Sequence, residues 1–295
     1  MTSRKIATIL VAPTVLLLGL IVIFPMLFSI SVALTGYDLR IPEHFFVGFG
    51  NFINVFKQVE FYNAITITGT MIITEVIIEL IIGFALALLL LQFPRTKQLF
   101  QPILLVPTMI TPVVIGYIGR LIFEGRSGPI NYFLNILGGE SLPWHASPKY
   151  ALITVLILRI WQWSPFVMAV ILSGIISLPV EPYDAAKVDG ANSLQIFIYL
   201  TLPLLKPIIM LVVIMRALET LQTFDIIYVL TMGGPGSKTT TFSLFTYLLG
   251  FRYWDIGGAS AAAWIVMVPL SFLITKFVKL MGEGEDLGKK KEIKL

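Results

Sequence analysis

The chain has 295 residues, of which 57% are hydrophobic and only 13% charged, with a formal net charge of +4. A soluble domain carries about 25% charged residues, so the deficit excludes an ordinary soluble globular protein and points to a chain solvated by lipid. The basic residues are scattered, which argues against a nucleic-acid surface, and the absence of cysteine excludes disulfides, thiolate nucleophiles and cysteine metal sites. The two histidines, His44 and His145, fall in loop-like segments, so a histidine-built metal site is not expected either.

A helix needs about 20 apolar residues to cross the hydrocarbon core of a bilayer. Six stretches meet that length, at 7–34, 64–92, 99–123, 150–176, 206–230 and 258–281, and predict an all-α integral membrane domain over residues 1–281. Arg4 and Lys5 precede the first, but its apolar run exceeds the roughly 7–15 residues of a signal-peptide core, so it reads as a retained helix. The second carries Glu75 and Glu79 at i, i+4 spacing. The third contains Pro107 and Pro112, which predict kinks, as do Pro25 and Pro165 elsewhere. Residues 124–149 hold Gly125, Gly128, Pro129, Gly138, Gly139, Pro143 and Pro148, a density of breakers that predicts a loop. Gly233-Gly234-Pro235-Gly236 opens the last connector. The charged tail, 282–295, is expected to fray into solvent. No internal repeat is evident.

Lysine and arginine set the orientation. Arg4, Lys5, Arg95, Lys97, Lys187, Lys206, Lys276, Lys279, Lys289, Lys290, Lys291 and Lys294 share one side. Only Arg40, Lys57, Arg126, Lys149, Lys238 and Arg252 lie on the other. The richer side is the cytoplasmic one, so both termini and the segment 177–205 are expected there.

That segment has helix chemistry. Pro182 suits a first turn, Glu181 and Asp184 favour a helix N-terminus, and Ala185 and Ala186 are strong helix formers. Gly190 is a stop, and a second short helix is predicted from Ser193 to Leu200, before Pro203. Two short helices joined at a glycine make a compact knob able to fit a groove in a soluble partner.

The spacing is specific. Asp184-Ala185-Ala186, three residues, Gly190, nine residues, Leu200, one residue, Leu202-Pro203 resembles the EAA signature of type I ABC importer permeases, with Asp for Glu at 184 and Leu for Ile at 200. Pro203-Leu204-Leu205-Lys206-Pro207 and the string from Phe224-Asp225 to Gly233-Gly234-Pro235 narrow the resemblance to the carbohydrate-uptake, maltose-permease-like subunits. The resemblance covers about residues 60–280. It implies a MetI-like six-span fold in a prokaryotic cytoplasmic membrane. It implies a partnership with a second homologous permease, two ATP-binding-cassette ATPase subunits and an extracytoplasmic solute-binding protein. ATP and Mg would be bound by the ATPases, with no cofactor in this chain. The coupling residues it implies are Tyr183, Asp184, Ala185, Ala186, Asp189, Gly190, Leu200 and Pro203.

Charges inside spans are costly and mark pathways or paired interior sites. Arg159 lies about nine residues into the fourth stretch and Arg216 about ten into the fifth, which at ~1.5 Å per residue is mid-membrane depth. One reading places Arg159, Gln162, Trp163 and Phe166 on one side of a cavity, with Arg216, Glu219, Thr220 and Gln222 opposite. Carboxylates, amides and guanidinium groups hydrogen-bond vicinal hydroxyls, and an aromatic ring stacks on a pyranose face, so this mixture suits a sugar or polyol. The resemblance carries the sugar-contacting positions onto Arg159, Gln162, Trp163, Phe166, Arg216, Glu219 and Thr220. The competing reading makes Arg159–Glu75 and Arg216–Glu219 structural ion pairs, and another has the two arginines bind an anionic substrate such as a sugar phosphate. Met109, Met168 and Met215 read as packing residues.

Gly233-Gly234-Pro235-Gly236-Ser237-Lys238-Thr239 fails the spacing of a phosphate loop, and no catalytic constellation is present, so the chain is not expected to be an enzyme. An ion-coupled secondary transporter, with Glu75, Glu79 and Asp225 as a relay, is the main rival. A membrane-embedded enzyme or an assembly scaffold is a weaker one. The sequence thus predicts a sugar-importing permease subunit driven through the 183–203 loop.

Overall fold

The computed structural model describes the backbone of residues 3–292 apart from 42 and 44. His44 and residues 293–295 of the tail lie outside the described residues. Among the described residues every regular element is helical, apart from two isolated β-bridges, Thr35–Phe46 and Asp38–Asp255. The chain divides into two compact units, Met1–Tyr62 with Phe245–Leu273, and Asn63–Leu244 with Ile274–Leu295.

In the first unit, helix α1 (Ser3–Ala33) is apolar on all sides, and almost all its side chains from Leu10 onward are exposed. Such a surface suits lipid or another apolar helix rather than water. Helix α2 (Gly50–Lys57) closes its end: Asn51 Nδ2 donates to Ala33 O at 2.9 Å and to Thr35 O at 2.8 Å. Ala33 O is a C-terminal carbonyl that α1 itself leaves unpaired, and Thr35 O lies in the turn that follows.

The second unit holds the features that matter for function. Helix α3 (Val59–Gln92) covers the second predicted span and α7 (Ala151–Ile176) the fourth. They approach closely at Gly83, where an added Cβ would lie 2.6 Å from Val167 Cγ1 and 3.0 Å from Met168 N. Small residues let membrane helices meet at this range. Ala87, Leu90, Val167, Met168, Ile171, Leu172 and Val212 form the apolar core there. Met168 packs in that core, whereas Met109 is 81% exposed and Met215 is also exposed.

The third predicted span is not one helix. Helix α4 (Pro94–Met109) and α5 (Pro112–Ile122) meet at 91°, a broken or re-entrant span. Pro112 has no N–H to continue the ladder, and it holds Thr111 in extended backbone (ψ 144°). Among the described residues, five helices are therefore long and apolar enough to cross a membrane, or six if the bent pair counts as one span.

The 124–149 segment, expected to be a loop, contains helix α6 (Pro129–Ile136), which starts at a proline in its first turn. The buried Asn131 ties this helix to the turns on either side of it. Its Nδ2 donates to Gly125 O (2.8 Å) and Leu142 O (2.9 Å), and its Oδ1 accepts from Leu142 N (3.0 Å) and Trp144 Nε1 (2.9 Å).

After α7 come α8 (Glu181–Val188), α9 (Ser193–Ile196), a π-helical turn (Phe197–Thr201) and α10 (Leu202–Leu221). The last three run on as one helical rod, Ser193–Leu221. The fifth predicted span, 206–230, is thus cut at 222–224, and Asp225–Leu230 forms a separate helix α11 packed on α5. Glu219, Thr220, Gln222, Thr223 and Asp225 make this stretch polar enough to end a helix and cap the next. Helix α12 (Phe242–Tyr247) lies in the last connector, followed by a π-helical turn (Leu248–Arg252). Helix α13 (Ile256–Glu292) continues through most of the segment expected to fray.

Asn131→Leu leaves the Leu142 backbone groups and Trp144 Nε1 unpaired while keeping side-chain volume. It should destabilise the detergent-solubilised protein by about 2–4 kcal/mol, read as a lowered thermal midpoint. An unchanged midpoint would contradict the role given to this asparagine.

Candidate functional site

Three helices of the second unit each contribute charge to one buried cluster. Helix α3 supplies Glu75 and Glu79 near its middle, one turn apart on one face. Helix α7 supplies Arg159, and α10 supplies Arg216, Glu219 and Thr220. Arg159 Nε donates to Glu75 Oε1 (2.8 Å) and Oε2 (3.0 Å), and its Nη2 donates to Glu219 Oε2 (2.7 Å). Arg216 uses Nε and Nη2 on the two oxygens of Glu79 (2.6 and 2.9 Å) and Nη1 on Glu219 Oε2 (2.6 Å). Thr220 Oγ1 donates to Glu75 Oε2 at 2.8 Å. Both arginines are 1% exposed and both α3 carboxylates fully buried, whereas Glu219 is 33% exposed. Bidentate pairing of this kind is what makes a buried guanidinium tolerable.

Both ion pairs weighed from the sequence, Arg159–Glu75 and Arg216–Glu219, are present. The Arg216–Glu79 pair is a third, which the i, i+4 spacing of two acids facing two in-span arginines could have suggested. The indole of Trp163 stacks on the Arg216 guanidinium, 4.5 Å from Cζ to ring centroid, and packs edge-on against Phe166.

The eight candidate substrate residues separate by exposure. Arg159, Gln162, Arg216 and Thr220 are buried. Trp163, Phe166 and Glu219 are half-buried, and Gln222 is exposed at the end of α10. Gln162 has a task that sequence reasoning missed: its Nε2 donates to Ile110 O at 2.9 Å, at the break between α4 and α5. An apolar groove of about 670 Å³ between α3, α4 and α7, lined by Ile78, Ile82, Ile103, Pro107 and Trp161, is too poor in polar groups to suit a sugar. Its one hydroxyl, Ser164 Oγ, is committed to Ile160 O at 2.6 Å.

The second candidate site is the helical knob. Helix α8 buries none of its residues, and Val188 is 88% exposed. Gly190 has φ +78°, and Ala191 N donates to Ala186 O (2.9 Å) while Gly190 N donates to Lys187 O (3.1 Å). This is the paired closure of a helix that ends in a left-handed residue. Asn192 then starts α9 with a reciprocal cap: its Oδ1 accepts from Gln195 N (2.9 Å) and its N donates to Gln195 Oε1 (2.8 Å). Tyr183 Oη donates to Thr201 Oγ1 at 3.1 Å, tying α8 to the π-helical turn of the rod. Ala186, Asp189, Gly190, Gln195, Tyr199 and Leu200 line an open cleft of about 390 Å³. Tyr183, Ala186 and Leu200 are half-buried, while Asp184, Ala185, Asp189, Gly190 and Pro203 are exposed.

Residues 79–283 match the family described as binding-protein-dependent transport system inner membrane component. The chain belongs to this family. The permease is a subunit of a binding-protein-dependent ABC importer, a multi-pass protein of the inner membrane that is not itself catalytic. ATP is handled in this family by partner ATPases. The permease is 31% identical over 276 residues to the trehalose/maltose transport system permease protein MalF of Thermococcus litoralis, covering 92% of each chain. It is 35% identical over 282 residues to the sulfoquinovosyl glycerol transport system permease protein SmoG of Agrobacterium fabrum, covering 92% of this chain and 89% of that one. Its fold matches a chain in the crystal structure of a bacterial alginate ABC transporter in complex with an alginate pentasaccharide-bound periplasmic protein. There the TM-score is 0.80 at 22% identity, and 92% of each chain is covered.

If the cluster holds the permease's helices together, Arg216→Met alone should destabilise it by about 3–5 kcal/mol, because Glu79 is left buried and uncompensated. Glu79→Met/Arg216→Met should recover most of that loss. Thermal unfolding of the purified protein checks both, and additive effects of the two substitutions would contradict the pairing.

Proposed function

We propose that the permease carries a carbohydrate, from monosaccharide to oligosaccharide or polyol, into the cytoplasm, driven by ATPases that dock on the α8 knob. The observation that carries this reading is the continuity between knob and cluster. Helix α8 is tied to the π-helical turn by Tyr183, and the rod from Ser193 to Leu221 leads without interruption to Arg216 and Glu219. Force applied at the knob is delivered to the three helices that the cluster joins.

The orientation with both termini and the knob in the cytoplasm is supported by the lysine and arginine bias of the flanks. The partners are a second homologous permease, two ATPase subunits that bind ATP and Mg, and an extracytoplasmic binding protein. Docking is assigned to Tyr183, Asp184, Ala185, Ala186, Asp189, Gly190, Leu200 and Pro203, around an exposed helix whose cleft offers a place for a partner's side chains. ATP binding closes the ATPase pair, the knob moves with it, and the rod carries the cluster between inward-facing and outward-facing arrangements.

A carbohydrate cargo is supported by the functions for which relatives are named, trehalose/maltose and sulfoquinovosyl glycerol transport among them. It is also supported by the chemistry at the exposed edge of the cluster. Trp163 and Phe166 offer ring faces, and Glu219 and Gln222 offer acceptors and donors for hydroxyls. Arg159, Gln162, Arg216 and Thr220 stand behind them and fix their positions.

Gly190→Pro forbids φ +78° outright. It and Ala186→Glu should each abolish uptake and transport-coupled ATP hydrolysis in membranes that contain normal amounts of the permease. Normal uptake by either variant would sink the coupling role. Tyr183→Phe removes only the hydroxyl bonded to Thr201. It should lower uptake roughly two- to tenfold, the scale of a ~0.5–1.5 kcal/mol hydrogen bond, and Thr201→Ser should retain wild-type uptake.

A further inference from the structure

The charge balance at the cluster speaks to which carbohydrates pass. Glu75, Glu79 and Glu219 face Arg159 and Arg216, so three carboxyl groups meet two guanidinium groups. If one carboxyl keeps its proton the group is neutral, and if none does it carries one net negative charge. In neither state is a positive charge left over for a ligand. The member of the cluster most open to solvent is Glu219, and only its Oε2 is engaged, by both arginines. Its Oε1 takes no hydrogen bond among the described residues.

Two further polar atoms at the cluster are unpartnered among the described residues. Trp163 Nε1, on the indole that stacks on Arg216, is buried without a partner, and Arg159 Nη1 makes no hydrogen bond although Nε and Nη2 do. The unmatched groups are thus one carboxylate oxygen acceptor and two N–H donors. A hydroxyl, which donates and accepts, answers both kinds. A phosphate, sulfonate or carboxylate only accepts, and it would have to approach Glu219 at close range, where like charges in a poorly solvated site repel strongly.

We propose that Glu219 makes the permease selective for uncharged, hydroxyl-rich sugars over anionic ones of the same size. The inference rests on the carbohydrate reading above and adds a charge criterion to it. It sets aside the alternative in which the two arginines bind a sugar phosphate, because their charge is already matched by carboxylates.

The test uses cells expressing the complete importer and matched pairs of labelled probes: trehalose with trehalose 6-phosphate, maltose with maltobionate, lactose with lactobionate. For at least one pair, uptake of the neutral member should exceed that of its acid by about tenfold or more, equivalent to ~1.4 kcal/mol. Glu219→Gln keeps an acceptor for both arginines and removes the charge, so the neutral-to-acid ratio should fall severalfold. Glu219→Asp keeps the charge and should keep the ratio. The binding protein is common to all three strains, so a change in ratio belongs to the permease. Equal or faster uptake of the acid by wild type, or a ratio unmoved in Glu219→Gln, overturns the charge criterion while leaving carbohydrate transport standing. Uptake of neither member of any pair overturns the carbohydrate reading for cargo of disaccharide size, and the criterion with it.

Discussion

An arginine in the apolar middle of a helix bundle is stable only where carboxylates meet it, and this chain has two. Arg159 on α7 finds its partners on α3 and α10, and Arg216 on α10 finds its own on α3 and on α10 itself. Both are satisfied only when the helices are assembled around Glu75, Glu79 and Glu219, Arg159 needing all three helices and Arg216 needing α3. Apolar contact adds little specificity between helices that are equally at home in lipid. The charged pairs and the close approach at Gly83 therefore fix which helices meet and in what register. Glu219 bridges both arginines and remains a third exposed, so the cluster is rigid behind and reachable in front.

Helix α7 serves several of these demands within one and a half turns. Arg159 enters the cluster, Gln162 holds the carbonyl at the α4–α5 break, and Trp163 stacks on Arg216. The broken span, the cluster and the aromatic edge are thereby built on one rigid element. At the other end of α10, the knob adds a surface that the chain does not bury for itself. In the proposed mechanism, the rod between them turns ATPase closure into a movement of the cluster as a body.

The apolar stretches were legible because lipid imposes a length on them, and α3, α7 and α13 cover the stretches that hydropathy marks, α3 and α13 running beyond them. The first helix of the knob and its stop were legible because left-handed Gly190 is a local device with a local residue signature. The Asn192–Gln195 cap and the run of the second helix through Pro203 to Leu221 were not. Breaks inside spans were harder. Hydropathy averages over Thr111-Pro112 and gives no angle, so a 91° bend is indistinguishable there from a kink. The cut after Leu221 lies in the polar run from Glu219 to Asp225, a composition that suits site chemistry as well as a helix end. Partner choice within the cluster is tertiary. The acids at 75 and 79 announce a charged face, but only the approach of α10 to α3 decides that Arg216 takes Glu79.

The claim that the cluster makes α3 and α10 move as one body is open to direct measurement. The chain contains no cysteine, so spin labels can be placed at Ile77→Cys on α3 and Leu211→Cys on α10 without background from the permease itself, in complexes whose partner subunits carry no reactive cysteine. Distances are then compared between the nucleotide-free and ATP-trapped complexes. A single narrow distribution, the same in both states and broadened by Arg216→Met, is the predicted result. A clear shift of the wild-type distance between the two states would contradict it.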